Sequence, residues 1–202
     1  MSALRATAPL WLLAAGVVVA GWSGPAAEAL RYERSAVTHG EVWRLLTAHL
    51  VHLGPAHAAL NLAALFIIAM WGVRRLGAAA WTGAVIASAA AVGLGLLYLA
   101  PRVDWYVGLS GMLHGLLAYV AVLAIGTDTL ALPVLAAITA KVAWEQTFGP
   151  LPGSETTAGG PVVVGAHFFG TIGGAAWAVL ACCVRRVTAR LIPRPRRERD
   201  ND

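Results

Sequence analysis

The chain has 202 residues, of which 58% are hydrophobic and only 12% charged. A soluble domain carries about 25% charged residues, which excludes an ordinary cytosolic globule and leaves an integral membrane protein. The formal charge of +5 is no nucleic-acid footprint, because seven of the 15 basic residues (Arg185, Arg186, Arg190, Arg194, Arg196, Arg197 and Arg199) form a tail directly after an apolar run. The positive-inside rule gives that placement to a cytoplasmic end.

Apolar runs cover residues 8–22, 56–73, 76–100, 105–125, 130–148 and 161–184, followed by the basic tail 185–202. Several approach the ~20 residues that a spanning helix needs. The expectation is one all-α membrane domain over 1–202, a six-helix bundle. The first run is short and precedes Ala26-Ala27-Glu28-Ala29, so it also reads as a signal peptide; a retained helix is the preferred reading. With Arg5, Arg74, Arg75 and the tail inside, ten basic residues lie there. Four (Arg31, Arg34, Arg44, Arg102) lie outside, and Lys141 falls within the fifth run. This bias predicts both termini in the cytoplasm. The longest loop, 23–55, carries Trp43-Arg44, His39, His49 and His52, a composition suited to the membrane interface. Cys182 and Cys183 are neighbours, which cannot easily pair with each other, and no zinc-type spacing exists. They read as packing, and neither metal nor cofactor is expected.

Chemistry-bearing residues cluster at the outer ends of the runs. His57 and Asn61, four apart, share one helix face. An intramembrane imidazole and amide are costly unless partnered, so they are either interhelical hydrogen-bonders or part of a site. Ser110 lies between Gly108 and Gly111 at the mouth of a helix, where free backbone amides can stabilise negative charge. By itself, a serine beside glycines in an apolar helix is more often a packing residue. His167 opens the last run, with Gly170 and Gly174 on its face, while Gly111 and Gly115 give the fourth run its own small-residue face. Two such faces let helices approach closely in lipid, which a Ser–His hydrogen bond across helices requires. His114, four after Ser110, is the competing base. Its common direction with the serine leaves little freedom to align over a substrate, so packing or tuning of the site suits it better. Lys141 and Glu145, also four apart, are a structural ion pair or a substrate-recognition element. The segment 149–160 is rich in Gly, Pro and Thr and reads as a mobile loop.

Together, W-R (43–44), H-x-x-x-N (57–61), G-L-S-G (108–111) and A-H-x-x-G-x-x-x-G (166–174) resemble the rhomboid intramembrane serine proteases, in the order and on the spans of that family. His52, five before His57, also fits its pattern. The resemblance implies Ser110 as nucleophile and His167 as its base. It implies an oxyanion hole from His57, Asn61 and the Ser110 N–H, with Leu109 as a further N–H donor, and a first outer loop shaped by Trp43 and Arg44. L-S-G-M-L-H-G (109–115) and K-x-x-x-E-Q (141–146) look most like the rhombosortase subfamily. That likeness implies substrates with a C-terminal tail of Gly-Gly, one membrane helix and basic residues; in a bacterial envelope, the charge bias puts Ser110 toward the periplasmic face of the inner membrane. One departure is G-V-R-R-L-G at the end of the second run, where many rhomboids carry a Glu. No acidic residue neighbours His167 in its motif, so a Ser–His dyad is expected. The competing classes are a rhomboid-like protein that binds membrane clients without cutting them, and a small transporter using the intramembrane polar residues. A working serine nucleophile separates the first from a protease; the second lacks the inverted repeat such folds show.

Overall fold

The computed structural model describes residues 3–191. In chain order it comprises α1 (Ala3–Ala20), α2 (Pro25–Leu30), β1 (Tyr32–Glu33), α3 (Arg34–Thr38), α4 (Arg44–Thr47), α5 (Pro55–Gly72) and α6 (Ala78–Leu99). Then follow β2 (Trp105–Tyr106), α7 (Ser110–Ala124), α8 (Ala131–Phe148), α9 (Ser154–Ala158) and α10 (Val164–Leu191). The fold is mostly helical, with one exception to the all-α expectation: β1 and β2 pair antiparallel, Tyr32 opposite Tyr106 and Glu33 opposite Trp105.

Each expected apolar run contains one long helix, but the count of six spans does not follow from length and apolarity. Among the described residues, four helices qualify by those criteria: α1, α5, α6 and the Val164–Thr188 part of α10. The fifth, α8, is diluted by Lys141 and Glu145. The remaining one, α7, is apolar but only 15 residues long. Its run was expected to be helical from 105. Instead Trp105-Tyr106 is spent on the strand pair, and Gly108 at φ +120° turns the backbone where a side chain would be strained. The helix therefore begins at Ser110 itself. The last helix is longer than its apolar run and carries Arg185 and Arg186 outward; from residue 192 the basic tail lies outside the described residues.

Helix α7 occupies the centre, buried along most of its surface, with Met112, Leu116, Tyr119 and Ala121 fully enclosed. Its neighbours differ in how they approach. Against α10 the contact is backbone on backbone: a Cβ added at Gly111 would lie 2.8 Å from the Ala166 carbonyl oxygen. One at Gly170 or Gly174 would run into the carbonyls of Gly111 and Gly115. Small residues alone allow this proximity. Against α5 and α6 the contact is by side chain, with Leu65, Ile68, Trp81, Ala84 and Ala89 closing the core. Large apolar side chains such as Leu12, Val19, Ile67, Leu132 and Phe148 remain exposed on the outside, as lipid-facing surface requires.

The segment 23–54 is no loose loop. Arg34 spreads over the C-terminus of α6, donating to the carbonyls of Leu96 (2.6 Å), Leu97 (2.8 Å), Ala100 (2.6 Å) and Val103 (3.1 Å). A cation there satisfies orphan carbonyls and suits the helix dipole. Arg44 is buried and donates to the carbonyls of Glu28 (2.6 Å) and Arg31 (2.8 Å) and to Glu41 Oε2 (2.6 Å). The Trp43 indole, half exposed, donates to the Ala29 carbonyl at 3.3 Å. At the opposite end of the bundle, where the departure from the rhomboid pattern lies, Arg75 pairs with Asp128 at 2.7 Å. The Trp71 indole donates to the same carboxylate at 2.9 Å.

Candidate active site

Ser110 is the first residue of α7, so its N–H has no partner within the helix. The Gly111–Gly170 approach described above carries α10 so near that His167, three residues before Gly170, faces the serine: Ser110 Oγ lies 3.0 Å from His167 Nε2. That is hydrogen-bonding distance for a hydroxyl and a ring nitrogen. His114, the competing base, is engaged otherwise. Its Nδ1–H donates to the backbone carbonyl of Ser110 at 2.7 Å, and its ring stacks on that of His167 with centroids 4.2 Å apart.

The other ring nitrogen of His167 has a partner that the motif did not contain. Nδ1 lies 2.7 Å from Glu145 Oε2, and the Glu145 side chain is only 1% exposed. Lys141 donates to the second oxygen, Oε1, at 2.6 Å and stands 3.3 Å from His167 Nδ1. The ion pair between Lys141 and Glu145 therefore exists, but it is joined to the imidazole. The expectation of a histidine without an acidic neighbour is corrected here. Distance along the chain hid the contact, since 22 residues separate Glu145 from His167.

His57 and Asn61 line the same cavity as Ser110, His114, Lys141, Glu145 and His167. Asn61 is buried, and among the described residues its Nδ2 has no hydrogen-bond partner. A buried, unspent amide donor is costly, and here it belongs to a cavity that Ser110 also lines. The Leu53 N–H is directed at His57 Nδ1 at 3.4 Å, which makes Nδ1 the acceptor and leaves the proton on Nε2. Gly108 packs under that ring: a Cβ there would sit 2.9 Å from His57 Cε1. Leu109 is different. Its N–H points to His52 Nε2 at 3.4 Å, so it is turned toward the loop and not into the cavity, and the expectation of an oxyanion donor at 109 does not fit this geometry. Trp43 and Arg44 do not line the cavity either; they hold the outer loop together.

The turn leading into Ser110 is braced from below. The Gly108 carbonyl accepts from the Tyr106 hydroxyl at 2.5 Å and faces His49 Nδ1 at 3.4 Å, while Gly108 N–H donates to the Ala48 carbonyl at 3.1 Å. In this loop, burial pushes the imidazoles of His49 and His52 down to about 4, so both are neutral near neutral pH. For the same reason the Tyr106 hydroxyl is held well above its ordinary value and keeps its proton to donate.

The site opens in two directions. Toward α5 and α8 lies a cavity of about 320 Å³, lined by Asn61 and Ser110 and by apolar side chains including Leu113, Leu117 and Ile138. On the other side, Leu151, Pro152, Thr157 and Ala158 line the cavity with Ser110 and His167. The segment 149–160 thus includes the short helix α9 with Ala158 buried, and it roofs the site.

The Rhomboid domain family model matches residues 39–183, more than two thirds of the chain. The chain belongs to the rhomboid family. Rhomboids are in general intramembrane serine proteases, and this one is a multi-pass membrane protein. No curated protein matches the chain. The matched region of this rhomboid takes in every residue named at the site, from Trp43 to Gly174.

Proposed function

We propose that this rhomboid is an intramembrane serine endopeptidase with Ser110 as nucleophile and His167 as general base. The observation that carries the reading is the 3.0 Å Ser110–His167 contact beside the unpartnered Asn61 amide. Ser110 Oγ adds to the scissile carbonyl carbon, the hydroxyl proton passes to His167 Nε2, and the carbonyl π pair moves onto oxygen. Asn61 Nδ2–H, His57 Nε2–H and the Ser110 N–H are the donors available to that oxyanion. Collapse expels the amine, which takes the proton from Nε2, and water then releases the acyl group by the same steps.

The short α7 fits chemistry below the membrane surface. Fifteen residues span ~22 Å at 1.5 Å per residue, against a hydrocarbon core of ~30 Å. A serine at one end of such a helix falls short of one surface, under the roof of segment 149–160. The cavity beside it is narrow and apolar and favours a substrate with small residues at the cut. The rhombosortase-like motifs carry the reading one step further. The substrate class is exported proteins with a C-terminal Gly-Gly motif, one membrane helix and basic residues, and the site faces the periplasm of a bacterial inner membrane, with both termini in the cytoplasm.

The test uses the purified protein in detergent with a reporter ending in Gly-Gly, an apolar helix and arginines, together with a fluorophosphonate probe. The parent protein cleaves the reporter and is labelled; Ser110→Ala does neither. Cleavage by purified Ser110→Ala would end the reading. Equal cleavage of a membrane helix without Gly-Gly would keep the protease and remove the tail specificity.

A further inference from the structure

We infer that Glu145 is a positioning residue for His167, so that the proposed Ser–His pair works as a Ser–His–Glu triad with Lys141 holding the acid in place. The inference rests on the Ser110–His167 reading and adds to it a role for two charges on α8. The decisive geometry is at Nδ1. Glu145 Oε2 is 2.7 Å away and Lys141 Nζ 3.3 Å, while Lys141 gives its short bond, 2.6 Å, to Glu145 Oε1. A carboxylate can only accept. At 2.7 Å the ring nitrogen must therefore carry the hydrogen, since two acceptors would repel. The imidazole is thereby fixed as the Nδ1–H tautomer, which leaves the Nε2 lone pair facing the Ser110 hydroxyl.

Two consequences follow for the reaction. The free tautomer would otherwise be a choice between two states, one of them unable to accept the serine proton. When Nε2 takes that proton, the imidazolium forms with its positive charge directed at the carboxylate, and Glu145 itself stays unprotonated. A buried carboxylate is expensive without a partner, and Lys141, 31% exposed, supplies one. The remaining polar groups around His167 come from other helices: Ser110 and His114 on α7 and His57 on α5. None of them is an acid, so Glu145 alone fills this position among the described residues facing the ring.

Glu145→Gln tests the assignment, because an amide is able to donate to Nδ1 and so favours the wrong tautomer. With a fluorophosphonate as the probe, Ser110 Oγ displaces fluoride from phosphorus and its proton goes to His167. The maximal phosphonylation rate is expected to fall about 10²–10⁴-fold, with the half-saturating probe concentration unchanged. Glu145→Asp restores part of the rate. Lys141→Met with Glu145→Gln, which leaves no unpaired charge behind, loses as much as Glu145→Gln alone. The ¹⁵N spectrum of His167 shows the proton on Nδ1 in the parent and on Nε2 in Glu145→Gln. A Glu145→Gln protein that reacts within about threefold of the parent rate, or that keeps the proton on Nδ1, overturns the inference. A loss matched by an equal loss of folded protein in all three variants, with no change of tautomer, does the same. Labelling of Ser110→Ala would instead refute the underlying Ser–His reading, so the two failures are told apart.

Discussion

Asn61 shows how a single atom constrains a reading. Its Nδ2 is buried without a partner among the described residues, as are Tyr32 Oη, Trp81 Nε1 and Ser88 Oγ, but of these only Asn61 lines the cavity at Ser110. Asn61→Ala should lower kcat about 10²–10³-fold, as loss of an oxyanion donor does elsewhere, with little change in KM; turnover of the Gly-Gly reporter measures it. His49 and His52 give a prediction of another kind. Burial depresses both to about 4 from an ordinary 6.5, so the unfolded chain takes up protons before the folded one as pH drops. Their share of stability is complete above about pH 6.5 and is lost progressively toward pH 4, with an upper bound of the order of 3 kcal/mol each. Thermal melts in detergent at pH 7 and pH 4.5 should differ more for the parent than for His49→Gln. At this scale much was legible. Ser110, His167, His57 and Asn61 stood out because polar groups in apolar runs are conspicuous. The contact of Glu145 with His167 was hidden because Lys141, one turn away, already accounted for its charge, and nothing in the sequence tells how α8 is rotated toward α10.

The helices themselves were legible as apolar runs, and their ends were not. Residues 105–125 form one mainly apolar stretch, yet its first part is a strand and a turn. Short apolar segments of strand and helix look alike until a partner strand is known, and that partner, Tyr32–Glu33, is remote in sequence. The glycines were read more securely, since the 4-residue spacings on two runs announced facing small-residue surfaces. Gly170→Ala would place a methyl against the Gly111 carbonyl, and the backbone would have to part. The cost should be about 1–3 kcal/mol or more, and phosphonylation should slow as the serine and histidine separate. Gly165→Ala is the control: it lies within α10, a Cβ there meets only Phe169 at 3.6 Å, and its φ is ordinary, so its effect should stay within about 1 kcal/mol and on the stabilising side. Thermal melts and labelling rates of the two variants, measured side by side, check both halves.

For the whole molecule, charge distribution argued an orientation that lipid alone can verify. In a protein with Cys182 and Cys183 changed to serine, single cysteines report on it. Thr38→Cys, in the outer segment, should react with a membrane-impermeant thiol reagent on spheroplasts. Thr127→Cys, in the exposed turn between α7 and α8, should react only after lysis. The reverse pattern would invert the assigned topology. Helix α8 bears two things at once: Ala137 and Ile138 on the apolar wall beside the serine, and the carboxylate that grips the imidazole. A polypeptide arriving sideways through that wall would have to push the same rod that steadies the proton acceptor. On the proposed mechanism, entry along that wall and alignment of the imidazole would therefore be coupled through a single helix.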